Sequence, residues 1–591
     1  MRAHFFALGA MAGAWLLLPV PWMVVVAASG CAVRWPRPAV VMIAACLATG
    51  WLGTRALDGL EPLESGSFEG WVTLVEDPRS SGPFGVRATA RVDGRRVSIS
   101  AHGPVAGRVA NRLAGEQLFV IGTAQPLRSD DDWARWRHEA GRITITSVVD
   151  TARGSPIARL ANEVRRTLSG GAAPLSRTNR ALYLGMVIGD DRGQSPVVAD
   201  DFRADGLGHL LVVSGQNVAF VLAIVAPLLV AARPGVRIVA LSAVLVFFAV
   251  LTRFEPSVLR AVRMAGVSIG AVGAGSPIDG RKALSVAVGV LLVIDPFLVH
   301  VVAFQLSAAA TTGIVWLAAP LGERLGGPGL IRIPFATTAA AQIGVAPLLL
   351  VTFGPVPLAS LPANLLAGPA SGPVMIWGCT AGLLAGIVGG PIASIIHSPT
   401  WMLLWWIRKV ASLSAAAPPA MIGGVGWAVI VGLTILMLTR PRARLLVGVV
   451  SIVLALVAIA RAPAVGIGDH QIVDGVELRP TEHGLIIVLD NPGAPRIVLR
   501  KLRRLGIGEP SLIVASDGDL ADALMVLALR DRYGPVLVLA PELHRVPTAR
   551  TARAGDRYRL GDLLIEVIVG ESGLDVVNLA ASPVPGRGPP R

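Results

Sequence analysis

The chain has 591 residues, 53% of them hydrophobic and only 16% charged, with a mean hydropathy of +0.63. So much apolar sequence argues against a wholly soluble protein and for an integral membrane protein. The formal net charge is +14, nearly all of it in residues 151–464, where 23 Lys and Arg stand against 10 acidic residues; arginine-rich cytoplasmic loops and a cavity lined for an anionic substrate both account for such a bias.

Residues 1–64 are predicted to form a transmembrane hairpin from the apolar runs Phe5–Ser29 and Ala39–Gly53. The stretch around Cys31 faintly suggests a lipoprotein cleavage site, but Ala28 stands where Leu is expected, and a second apolar run follows at once. Cys31, Cys46 and Cys379 sit in or beside apolar runs, with neither a disulfide framework nor metal spacing.

Residues 65–150 alternate apolar and polar positions in "FEGWVTLVEDP", "FGVRATARVDGRRVSISA" and "GRITITSVVD", with turn residues between. This predicts a small antiparallel β domain of a length that suits an OB-like barrel, with a short helix at "DDDWARWRHEAG". Arg87, Arg91, Arg95 and Arg96, with Trp71 and Phe84, are candidates for holding single-stranded nucleic acid by charge and stacking; an ordinary solvated sheet face is the alternative.

Residues 151–464 read as the transmembrane region. After a polar, helix-forming approach over 155–204, its candidate spans are Leu210–Ala232, Val236–Leu251, Val258–Val272, Ala283–Ile294, Val299–Leu317, Phe335–Val351, Leu361–Val388, Met421–Leu438 and Leu445–Ile459. Arg440, Arg442 and Arg444 mark the last loop as cytoplasmic, and Arg34 with Arg37 do the same for the first. Both soluble domains are therefore expected on the outer face. Within "DGLGHLLVVSGQNVAF", Gly215 weakens a helix while His209, Ser214, Gln216 and Asn217 offer polar groups to a pore or to neighbouring helices. Arg260 and Arg263 share a face of an apolar helix, facing phosphates in a channel or paired with Glu255 or Asp295. Gln305, Gln342 and Asn364 carry the same ambiguity between pore and packing. Asp190, Asp191 and Arg192 are candidates for a gate or a turn network, and Asp295-Pro296 reads as a helix stop.

Residues 465–591 alternate short buried strands ("GLIIVLD", "SLIVAS", "VLVLAP", "LLIEVIVG") with helical stretches and end in a Pro-rich tail, an α/β domain.

Five blocks carry a resemblance: "LGMVIGDDRGQS" (184–195), "FRADGLGHLLVVSGQNVAF" (202–220), "LTRFEPSVLRAVRMA" (251–265), "LLVIDPFLVHVVAFQLSAAATTGI" (291–314) and "AQIGVAPLLLVTFGPVPLASLPANLLAGP" (341–369). In this order they resemble the ComEC family of competence proteins, channels that bring transforming DNA across the bacterial inner membrane. The resemblance implies a polytopic α-helical inner-membrane protein with an OB-like domain before the membrane core and a metallo-β-lactamase-like domain after it. It further implies single-stranded DNA as substrate, with an external DNA receptor and a cytosolic ATPase as partners. No Walker-type phosphate loop occurs in the chain, which fits an external energy source.

The last domain departs from the family pattern. Where a His-X-Asp-X-Asp-His motif is expected, "LIVASDGDLADALMVL" has Asp517 and Asp522 in the histidine positions and Ala521 for an aspartate, while His470, His483 and His544 are scattered. Zinc relies on imidazole or thiolate ligands. The expectation is a metal-free, non-enzymatic remnant with no cofactor, against a weaker alternative in which Asp517, Asp519 and Asp522 hold Mg²⁺. Two rival functions stay open: a membrane-anchored metal-dependent nuclease, and a transporter of another anionic polymer. The sequence sets no oligomeric state.

Overall fold

Among the described residues of the computed structural model, five helices are long and apolar enough to cross a membrane: Pro38–Asp58, Pro234–Leu251, Val302–Arg324, Gly329–Thr352 and Ser360–Val388. The protein is polytopic. The structure describes residues 1–82, 85–128, 131–213, 215–273, 279–416, 420–440, 447–448, 450–451, 471–472, 474–481, 484–542, 544–560, 563–570 and 573–579. The chain divides into two units, Met1–Gly193 with Asp205–Ala460, and Gln194–Ala204 with Arg461–Arg591.

Several predicted spans change on folding. Phe5–Ser29 is two helices, Arg2–Leu16 and Trp22–Arg34, because Leu17 turns left-handed at φ 48° and Pro19 and Pro21 cannot continue a helix. Gly9 and Gly13 let the first helix lie directly on the backbone of Met42 and Cys46, where a Cβ would clash. Leu210–Ala232 shortens to a 3₁₀ turn at Gly208–Leu210, a bend, and the helix Gly215–Leu228, of 14 residues. Met421–Leu438 begins as a two-residue strand, and its helix is Gly424–Thr439. Leu445–Ile459 lies largely outside the described residues. The helix Ser398–Ala416 was not predicted, because Arg408 and Lys409 interrupt its apolar run.

The β domain of the first unit has strands β1 (Gly66–Leu74), β2 (Arg79–Ser80), β3 (Gly85–Val92), β4 (Arg95–His102), β5 (Gln117–Pro126) and β6 (Glu139–Ala152). The sheet order is β1-β5-β6-β4-β3-β2, and β1 also pairs with β3, so the sheet closes on itself. All pairings are antiparallel except β4 with β6, and a helix, Pro104–Ala110, lies between β4 and β5. Period-2 alternation fills the interior with Val72, Leu74, Ala88, Ala90, Val97, Ile99, Leu118, Val120, Ile143 and Ile145. Asp93 (φ 47°) and Gly94 (φ 83°) turn β3 into β4, the Asp-Gly pair that a tight hairpin favours. A further short pair, β7 (Val356–Pro357) with β8 (Met421–Ile422), lies among the membrane helices.

The second unit holds β9 (Gln471–Ile472), β10 (Val476–Thr481), β11 (Gly484–Leu489), β12 (Leu512–Ala515), β13 (Leu537–Ala540) and β14 (Arg550–Thr551) in one sheet, order β14-β13-β12-β11-β10-β9. Strands β11 to β14 run parallel. Strands β15 (Arg557–Leu560), β16 (Leu563–Gly570) and β17 (Gly573–Leu579) form a second, antiparallel sheet. Ile487, Leu489, Ile513, Ala515 and Val538 pack with the helices Pro495–Arg504 and Leu520–Tyr533; the alternate residues Ile486, Val488, Leu512 and Val514 pack with Ile565 and Val567 of the second sheet. The layers are thus helices, mixed sheet, antiparallel sheet.

Candidate functional site

Asp190, Asp191 and Arg192 follow the helix Arg177–Ile188, which ends at Gly189 with φ 73°. The fold joins them to residues from three other places: Asp77 and Arg79 after β1, Arg165 on the helix Pro156–Gly171, and Arg253 with Glu255 between the helices Pro234–Leu251 and Pro256–Gly273. Arg165 is 3% exposed and sits at the centre. Its guanidinium donates to Asp77 Oδ2 at 2.7 Å, to the Ile188 carbonyl at 2.6 Å and to the Leu251 carbonyl at 2.9 Å. One cation therefore terminates two helices, where carbonyl ends favour positive charge, and ties both to the β domain. Arg253 approaches Asp77 Oδ1 at 3.1 Å and donates to Asn162 Oδ1 at 2.6 Å. Arg192 clasps Asp190 through two hydrogen bonds of 2.8 and 2.6 Å, and Arg79 bridges Asp191 (3.3 Å) and Glu255 (3.1 Å).

Burial alone would raise the Asp77 pKa, but the charges of Arg165 and Arg253 and the Ala114 N–H hold it below the ordinary carboxylate range. Arg253 and Phe254 sit at φ 61° and 55°, a left-handed backbone that non-glycine residues adopt only when their surroundings impose it. The cavity among Glu76, Asp77, Arg79, Asp190, Arg253 and Glu255 has a volume of about 10 Å³. That is room for one water and not for a phosphodiester. In this conformation the cluster is a clamp.

A second contact fixes the other side of the β domain. Trp136 stacks on His300 at 4.1 Å and meets Phe297 edge-on at 5.4 Å, while His138 Nε2 lies 3.1 Å from Asp295 Oδ1. Asp295 ends the helix Gly280–Ile294 and accepts from the Phe297 N–H, so the predicted helix stop also serves as an anchor. Glu255 and Asp295, the carboxylates considered as partners of Arg260 and Arg263, are thus engaged by Arg79 and His138.

Between these contacts lies the outer face of β3 and β4. Arg91 stands directly opposite Arg96, and Arg87 opposite Ser100. Of the four candidate arginines, Arg95 stands apart, opposite Val92 at the barrel end and paired with Glu61 at 2.5 Å. Like charges across a strand pair are unfavourable without an intervening anion. Burial and the Arg91 charge together depress the Arg96 pKa. Trp71 is exposed and packs edge-on against Phe119 of β5 at 5.5 Å, on the β1–β5 side of the barrel. Phe84 lies outside the described residues.

The other predicted residues spread along the membrane helices. His209 is exposed, its Nδ1 3.2 Å from the Gly206 carbonyl. Gly215 opens the helix Gly215–Leu228, Gln216 is exposed, and Asn217 is buried, donating to the Met186 carbonyl at 2.8 Å. Ser257, which sequence reasoning passed over, donates to the Val213 carbonyl at 2.8 Å and holds the bend. Gln305 donates to the Val299 carbonyl (2.7 Å), Gln342 to Ser360 Oγ (3.1 Å) and Asn364 to the Ser360 carbonyl (2.7 Å), so these three tie protein to protein. Arg263 is half-buried on the helix Pro256–Gly273. Ser214 and the side chain of Arg260 lie outside the described residues.

In the second unit, Asp517, Asp519 and Asp522 follow β12, with ligand atoms within 4.8 Å of one another. Each carboxylate has an oxygen committed to backbone: Asp517 accepts from Asp519 N–H, Asp519 from Asp522 N–H, and Asp522 from Gly518 N–H. Asp522 is fully buried, and burial, then its hydrogen bond with Asp517 and the charge there, push its pKa up to about 8. His544, scattered in sequence, is brought beside Gly518. His470 and His483 lie outside the described residues. An all-carboxylate set already capping its own turn does not fit a hydrolase zinc, which takes nitrogen or sulfur donors.

Residues 186–444 match the family model of the competence proteins. The chain is similar to that family over this stretch, which holds Asp190–Arg192, the bend before Gly215 and the helices through Thr439. Neither the curated proteins nor the solved structures contain a match to the chain.

Proposed function

We propose that this protein is an inner-membrane channel for single-stranded DNA in natural transformation, energised by a separate cytosolic ATPase and supplied by an external DNA receptor. The observation that carries the reading is the competence-protein match over residues 186–444, which contains the 3₁₀ turn Gly208–Leu210 followed by the helix Gly215–Leu228. A broken helix is tolerated at membrane depth where it faces protein or a watery path. The β domain is read as an OB-like receiving module: its closing strand order, one parallel pair and interposed helix support this. Arg87, Arg91 and Arg96 present a row of positive charge between its two anchors, suited to phosphates. The layered second unit is read as metallo-β-lactamase-like, without the donors for hydrolysis. Both soluble parts are taken to face outward.

The test is nuclease-protected uptake of labelled DNA in a deletion strain with and without the wild-type gene restored. Internalisation only on complementation supports the channel; equal internalisation in both strains removes it and moves the anionic-polymer transporter to first place. In the complemented strain, Arg91→Ala with Arg96→Ala is expected to weaken DNA capture about tenfold at low salt and to flatten its salt dependence. An unchanged salt slope would return that face to an ordinary solvated surface.

A further inference from the structure

Three helices of the first unit run side by side in one direction: Arg2–Leu16, Pro38–Asp58 and Gly280–Ile294. A Cβ on Gly9 would strike Met42 and one on Gly13 would strike Cys46, so the first two advance in step. His4 Nδ1 lies 2.7 Å from Ser285 Oγ and Phe6 packs on Gly289, so the third advances with them. Their C-terminal ends meet the β domain, where Trp15 and Trp136 both stack on His300 and Asp295 pairs with His138. Their N-terminal ends lie at the opposite rim. The helix Val302–Arg324 starts beside His300 and returns to that rim, where Trp316, in a π-helical turn, stands 5.8 Å from His4.

These contacts put Arg2, Arg37 and Arg281 within about two helical turns of one another in depth, roughly 10 Å. Arg34, which ends the helix Trp22–Arg34, and Lys282 join them, and all five are exposed. Residues 1–57 contain no acidic residue, and Asp279 caps the third helix by accepting from the Arg281 N–H. Among the described residues none of the five cations has a carboxylate partner, whereas the arginines of the ion cluster are neutralised within the protein. Arg34 lies over the Trp35 ring at 5.9 Å and Arg281 over the Trp316 ring at 5.7 Å. Beside the charges, Leu8, Val33 and Trp35 are exposed.

This combination separates two kinds of anionic partner. A water-borne polyanion would meet the cations and leave the apolar side chains in water. A lipid meets both, with tryptophan at the boundary between headgroup and chain. The depth agrees: Arg37 and Arg55 flank the helix Pro38–Asp58, and at its helical rise they are about 27 Å apart, close to the ~30 Å of a hydrocarbon core.

We propose that this rim is a docking surface for anionic phospholipid. Arg2, Arg37, Arg281 and Lys282 hold phosphodiester headgroups, and Leu8 and Val33 lie against the acyl chains. The arginine excess puts the rim on the cytoplasmic side, whose leaflet attracts basic segments through its anionic lipid. The proposal rests on the membrane fold and not on DNA uptake.

The full chain, purified in a neutral detergent, is mixed with equal amounts of phosphatidylglycerol and phosphatidylcholine of matched chains, and retained lipid is counted by native mass spectrometry. A cation beside an anionic surface is worth about fivefold in binding, so wild type is expected to favour phosphatidylglycerol by at least about tenfold at low salt and to lose most of that preference at high salt. Arg2→Ala with Arg281→Ala and Lys282→Ala should abolish the preference. Arg2→Lys with Arg281→Lys, which keeps the charges, and Arg55→Ala, at the other rim, should retain it. Equal retention of the two lipids by wild type overturns the proposal without any variant, as does an undiminished preference in the triple variant or an equal loss in Arg55→Ala. If wild type ignores phosphatidylglycerol but binds a single-stranded oligothymidine that the triple variant does not, the rim belongs to nucleic acid and the lipid surface falls.

Discussion

Two acid-rich places in this protein look alike in sequence and behave oppositely in the fold. Around Asp190 each carboxylate meets an arginine, and Asp77 stays ionised although buried. Around Asp517, by contrast, the partners are backbone N–H groups and other aspartates, and Asp522 keeps its proton to about pH 8. Counter-charge, not burial, decides whether a buried carboxylate is a strut or an acid. The first place has the chemistry of a clamp; the second is a carboxylate turn that caps itself.

The comparison breaks most severely at Arg165. Arg165→Ala leaves Asp77 buried without its main counter-charge and frees two helix ends, a loss of about 3–5 kcal/mol. Membrane abundance should collapse, whereas Arg166→Ala, on the exposed side of the same helix, should be accepted; equal abundance for both would deny the clamp. Next comes Asp522→Asn. A carboxyl whose pKa rises from 3.8 to about 8 on folding gives stability that is complete below pH 4 and lost as pH climbs through 8. The unfolding midpoint of the second unit should therefore fall between pH 5 and pH 9 in wild type. In the Asn variant it should stay level, ahead of wild type at pH 9 by on the order of a few kcal/mol. A wild-type midpoint that rises over that range would show that Asp522 is ionised in the fold.

Much of this was legible in the sequence and some could not have been. Period-2 alternation with turn residues between predicts the β domain, but telling which of Arg95 and Arg96 shares a face with Arg91 requires knowing the register of β4, since a one-residue slip moves a side chain to the other face. Long uninterrupted spans such as Ser360–Val388 were readable from hydropathy, whereas averaging over Leu210–Ala232 hid a break held by Ser257, 44 residues from the carbonyl it meets. Asp190–Arg192 sits in a polar stretch and was legible only as a candidate gate or turn network. Its partners did not, since Arg165 reaches Asp77 across 88 residues and Arg253 across 176 with no local pattern to link them. Nothing in a nine-residue helix says which core Val197 joins.

A smaller effect sharpens the clamp. Arg79, with its side chain 48% exposed, bridges Asp191 and Glu255 at the rim. Arg79→Ala should cost at most about 1 kcal/mol, as exposed pairs do. A loss as large as that of Arg165→Ala would extend the buried core of the cluster to Glu255.

The smallest expected effect is the one that bears on the nuclease alternative. A cation bound only by the folded state at a concentration 100-fold above its Kd stabilises by about 2.7 kcal/mol, which a thermal midpoint registers. Carboxylates ligate when deprotonated, so pH 9, above the raised value of Asp522, gives Mg²⁺ or Mn²⁺ its best chance. Because each aspartate already caps the turn, adding 10 mM of either ion to the full chain should leave the midpoint of the second unit unchanged. A rise that disappears in the Asp522→Asn variant would mean the turn opens to take a metal. The second acid-rich place would then be a working site, and the contrast with Asp190 would become one between a clamp and a catalyst.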